Sequence, residues 1–91
     1  MQQGMPRNKL QSLYDVYAEL NALKPDDTEK KARLDAQLFS SLEKLILWAN
    51  ANEVNLPDFP MYKIANSNYD LGELGALIDI AEIEVRKYIL R

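Results

Sequence analysis

Through three long stretches of this chain apolar residues return every three or four positions, and nowhere do apolar and polar residues alternate in a sustained run. A helix turns once in 3.6 residues, whereas a strand turns its side chains over at every step, so the pattern predicts an all-α fold. The first stretch places Leu10, Leu13, Tyr14, Val16, Tyr17, Leu20 and Leu23 on one side of a helix over 8–23. Asn8 is its expected N-cap, and Pro25 bars it from continuing. The second sets Leu34, Leu38, Phe39, Leu42, Leu45, Ile46 and Ala49 on a helix that ends near 50–53. Its start is marked by Asp26 and Glu29 in capping-box spacing. The third opens on Asp70 as N-cap, with Glu73 three residues on and Tyr69 placed to pack against Leu74. Leu71, Leu74, Leu77, Ile78, Ala81, Val85, Tyr88 and Ile89 make its stripe, which runs to about Leu90.

So short a break between the first two helices predicts an αα-hairpin. Residues 51–69 are long for a connection and, with Val54, Leu56, Phe59, Met61 and Ile64, too apolar for a flexible linker. They are expected to be ordered, with Phe59, Met61 or Ile64 tucked onto the helices and one helical turn around 61–66. The predicted architecture is a three-helix antiparallel bundle forming a single domain over 1–91, with 1–6 unstructured.

The chain has neither cysteine nor histidine. Disulfides, thiol nucleophiles, imidazole acid–base chemistry and zinc sites of the usual kind are thereby excluded. Eleven basic and fourteen acidic residues leave a net charge of −3, which disfavours attraction to phosphate backbones or anionic membranes. The longest strictly apolar run, Leu45 to Ala49, falls far short of the ~20 residues a membrane span needs. Residues 1–9 lack the apolar core of a secretory signal, so a cytoplasmic protein is expected.

Two features point outward. Ala76, Ile80 and Ile83 lie on the side of the third helix away from its main stripe, which makes that helix apolar on two sides. Either the long connection covers them, or they form a surface for a partner or a second copy. Leu47 and Trp48 leave the stripe of the second helix in the same way; the indole is either an interface anchor or is covered by the connection. Gly72 and Gly75 sit in the opening turns of the third helix, where each costs about 1 kcal/mol relative to alanine, and a close backbone approach is the expected reason. Asp79, Glu82 and Arg86 form a solvated face with an i, i+4 ion pair. The basic residues Lys30, Lys31 and Arg33, and Arg86, Lys87 and Arg91, are interleaved with carboxylates, which argues against a nucleic-acid groove.

The expectation is a non-catalytic protein–protein interaction module, an adaptor, regulator, inhibitor or immunity-type protein, that self-associates as a homodimer. Its contact residues are Ala76, Ile80, Ile83, Leu47 and Trp48. Neither cofactor, metal ligand nor catalytic residue is expected, and neither a membrane nor a small-molecule substrate is implied. The alternatives are a helical nucleic-acid-associated regulator and, behind it, an enzyme using carboxylates and tyrosine.

Overall fold

The computed structural model describes residues 6–90; of the segment 1–6 expected to be unstructured, 1–5 lie outside the described residues, and Pro6 is instead the first residue of a helix. Four helices are present: α1 (Pro6–Ala22), α2 (Thr28–Ala51), α3 (Met61–Ala65) and α4 (Leu71–Leu90), and no described residue is in a strand. Helix α1 begins two residues before the expected Asn8 cap. Its first residue is a proline, which lacks an N–H only where the helix would leave one unbonded anyway. Helix α2 is preceded by Asp27 rather than Asp26, and the Asp27 side chain makes no capping hydrogen bond, so the expected box is not formed. Helix α4 starts as its sequence indicates: the Glu73 amide donates to Asp70 Oδ2 at 2.9 Å and the Leu74 amide to the Asp70 carbonyl at 2.9 Å. Asp70→Ala is accordingly expected to lower stability by about 0.5–2 kcal/mol, measured by urea denaturation. An unchanged midpoint would show that this cap contributes nothing.

Helices α2 and α3 end alike. Asn52 and Asn66 stand at the two C-termini, and each side-chain amide donates back to the carbonyl four residues earlier, on Trp48 and on Tyr62, at 2.8 Å. The next residues, Glu53 and Ser67, have φ of 57° and 55°. This left-handed step lets the Val54 and Asn68 amides reach back to the Ala49 and Lys63 carbonyls, closing a Schellman-type cap.

Leu13, Leu38, Leu42, Leu45, Ile64, Leu74, Ile78 and Val85 are fully buried in one core, with Leu10, Val16, Leu20, Leu34, Phe59 and Ala81 beside them. Tyr14, Tyr17, Phe39 and Ile46 flank the core, whereas Ile89, expected in the stripe, is 42% exposed. Helix α1 is central, packing on both α2 and α4.

Side-chain pairings give the directions. Tyr17 lies over Gly75 and Tyr14 reaches Asp79 and Glu82, so α1 and α4 are antiparallel. Tyr69, just before α4, bonds to Asp35 near the start of α2, while Tyr88 near the end of α4 bonds to Asn52 at the end of α2. Helices α2 and α4 therefore run parallel. Residues 52–70 make this possible by doubling back along α2, and they are held there by buried Val54, Phe59 and Ile64. No described helix is long and apolar enough to cross a membrane.

Candidate functional site

At 100° per residue the buried positions of α4, Leu74, Ile78, Ala81 and Val85, fall in a narrow arc, and Ala76, Ile80 and Ile83 lie roughly 130–170° from its centre. All three are exposed, Ile80 at 45% and Ile83 at 54%. The connection 52–70 does not cover them: its Phe59 and Ile64 are buried in the core and Leu56 and Met61 pack against it. Of the two readings left open by the sequence for this face, intramolecular cover is the one the structure removes.

Leu47 and Trp48 do not complete that surface. Leu47, 63% exposed, lies about 170° from the buried arc of α2, on that helix's own outer side. Trp48 is half-buried against the core, with its ring edge-on to Tyr88 at 5.2 Å between centroids. The indole is thus packed on α4 rather than left open, and Tyr88 is in turn held by a 3.1 Å hydrogen bond to Asn52 Oδ1. Three of the five expected contact residues share one face, and the other two belong elsewhere.

Next to that face, α1 grips α4 through polar groups. The Tyr14 hydroxyl donates to Glu82 Oε1 at 2.8 Å and approaches Asp79 Oδ1 at 3.4 Å, and Arg86 bonds Glu82 Oε2 at 2.9 Å. Burial, and then the hydrogen bond to Glu82, hold the Tyr14 hydroxyl well above the ordinary tyrosine pKa, so it serves as a donor. Tyr14, Tyr17, Gly75, Ala76 and Asp79 line an open groove of about 380 Å³.

Gly75 has its own reason. A Cβ there would lie 2.8 Å from Cζ of Tyr17, so the glycine admits a tyrosine ring rather than the backbone expected from sequence. Gly72 is exposed and meets only Asp70 Oδ2, at 3.3 Å, so no backbone approach explains it either. Gly75→Ala should displace Tyr17 and destabilise by about 1 kcal/mol net, the overpacking outweighing the gain in helix propensity. In a Tyr17→Ala background the same change should stabilise instead. The two midpoints measure this, and equal signs in both backgrounds would refute it.

The buried charge was not foreseen. Asp35 is 6% exposed and accepts from Lys31 Nζ at 2.8 Å, Ser67 Oγ at 2.6 Å and the Tyr69 hydroxyl. Lys31 also sits 5.1 Å from the centroid of the Tyr69 ring. Burial alone would raise the Asp35 pKa, but bonds from Lys31, Ser67 and Tyr69 outweigh it and hold the carboxyl below its ordinary value. Burial and the bond to Asp35 raise that of Tyr69. A carboxylate so supplied with donors is an anchor for the segment carrying Ser67 and Tyr69. One sequence signal marks it: Asp35 stands seven residues before Leu42 and four before Phe39, so it falls inside the apolar arc of α2.

Among the described residues no three carboxylates gather closely enough to hold a metal ion. Compared with known protein families, curated proteins and solved structures, the chain matches none, and its functional reading rests on this geometry.

Proposed function

We propose that the protein is a non-catalytic interaction module whose docking surface is the outer face of α4, formed by Ala76, Ile80 and Ile83. The observation that carries the reading is the pair of isoleucines. Burying each would contribute roughly 1.5–3 kcal/mol, and the chain leaves both near half exposure while filling its core from the opposite side of the same helix. The rival readings draw less support. Lys31, Arg86 and Lys87 each have a carboxylate within one turn of their own helix, so the basic residues are interleaved with acidic ones and form no uniformly basic groove for nucleic acid. Asp79 and Glu82 are tied to Tyr14 at the edge of an open groove rather than enclosed in a cleft.

Ile83→Asp tests the reading. As a surface change it should move the unfolding midpoint by no more than about 0.5 kcal/mol equivalent and leave the circular dichroism helical. Used as bait against an extract of its source cells, the variant should lose the partners that the parent retains, since binding would desolvate the new charge. Equal capture by the two baits, or unfolding of the variant, would overturn the proposal.

A further inference from the structure

The outer face of α4 carries a charge pattern as well as an apolar one, and the pattern is directional. We infer that the face pairs with a second copy of itself in a two-fold antiparallel contact, an inference that rests on the interaction reading above. Ala76, Ile80, Ile83 and Lys87 follow one another at spacings of four, three and four, the seam of two helices packed side by side. Asp79 and Arg86 lie together along one flank of that seam, and Glu73 and Glu84 along the other.

With two α4 helices antiparallel and Ile80 of one on Ile83 of the other, two-fold symmetry repeats the isoleucine contact on both sides of the axis. Ala76 then faces Lys87 of the second copy, and the small residue leaves room for the lysine stem. Asp79 comes alongside Arg86 of the second copy, twice over, and Glu73 comes within about a helical turn of Lys87 of the second copy. Glu84 stays roughly 7 Å along the axis from its own counterpart. A parallel pair would bring Arg86 near Glu84 of the second copy, but it would set Lys87 against Lys87 at the seam, leave Asp79 without a cation of the second copy beside it, and align both helix dipoles. Arg86 and Lys87 are free to take part. Their bonds to Glu82 and Glu84 lie on the surface, with the cationic side chains 69% and 68% exposed, where such pairs hold weakly. So small an apolar patch fits a reversible pair at the low end of interface size.

The absence of cysteine makes the geometry directly testable, since any disulfide must come from an introduced residue. Ala76→Cys alone and Lys87→Cys alone should each remain uncross-linked under mild oxidation, because like positions stand roughly 16 Å apart along an antiparallel pair. Mixed together they should give a disulfide-linked heterodimer. Sedimentation of the parent should show a monomer–dimer equilibrium that Ile83→Asp weakens at least tenfold, with circular dichroism reporting that the fold is intact. Self-cross-linking of Ala76→Cys would overturn the antiparallel arrangement. A parent that stays monomeric, with no product from the mixture, would overturn the second copy as occupant. If Ile83 were then still required for capture of another protein, the docking reading would stand without this inference. Were capture insensitive to Ile83 as well, both would fail.

Discussion

Replacing Asp35 by alanine is expected to lower stability by about 2–4 kcal/mol, because it strands the Tyr69 and Ser67 hydroxyls and the Lys31 ammonium together. The lower end allows for water reaching Lys31 and Ser67, which are not fully covered. Asp35→Asn keeps an acceptor in place and should cost less. A loss under about 1 kcal/mol for the alanine variant would mean that water already meets these donors' needs. The same cluster sets a pH dependence. The folded Asp35 pKa lies below its ordinary value of 3.8, so the unfolded chain binds the extra proton. Its contribution is present above that value and is lost as pH falls through the folded pKa. The acid limb of the stability–pH curve should therefore be shallower in Asp35→Asn than in the parent. For Tyr69 and Tyr14 the sign reverses: their raised values give stability that is whole below pH 10 and lost as pH rises through the folded pKa.

Ile64→Ala is expected to cost about 3 kcal/mol, within the range for a large aliphatic residue removed from a packed site. Ile64 is 1% exposed although it belongs to a helix of five residues, too short to be stable alone. Its burial is what holds α3 to α2, and α3 in turn delivers Ser67 and Tyr69 to Asp35. The two variants should therefore couple, the double mutant losing less than the sum of the singles by at least about 0.5 kcal/mol. Strict additivity would show that the apolar and polar attachments of this segment act independently. A loss below about 1 kcal/mol for Ile64→Ala would show that α3 is not anchored through this side chain.

The three long helices were legible because their apolar spacing is a local property, and so was the start of α4, where Asp70 and Glu73 stand in an unambiguous frame. The turn at 61–66 and the burial of Phe59 and Ile64 followed from a segment too apolar to float. The direction of α4 was not legible. It depends on residues 52–70 folding back along α2, and the two caps that begin and end this return use Glu53 and Ser67 in left-handed conformations that sequence normally signals with glycine. Asp35 was hidden for another reason: Lys31 four residues before it reads as a surface ion pair, and the hydroxyls that bury it come from more than thirty residues away. At the outer face, periodicity identified Ala76, Ile80 and Ile83 correctly as outward-facing. It grouped Trp48 with them because spacing along α2 does not reveal that Tyr88 of α4 covers the indole.

The central place of α1 also sets an order of assembly. Its contacts with α2 close through a short turn at residues 23–27, whereas Tyr17 and Gly75 must find each other across roughly sixty residues. The chain entropy lost in closing the longer loop exceeds that of the shorter by about 2 kcal/mol, and folding rates fall as such distant contacts are required. Helices α1 and α2 can pair first, leaving one flank of α1 bare until α4 arrives. In native-state hydrogen exchange, α4 should accordingly open at lower free energy than α2, and protection of α4 equal to that of α2 would show the molecule opening as one cooperative unit.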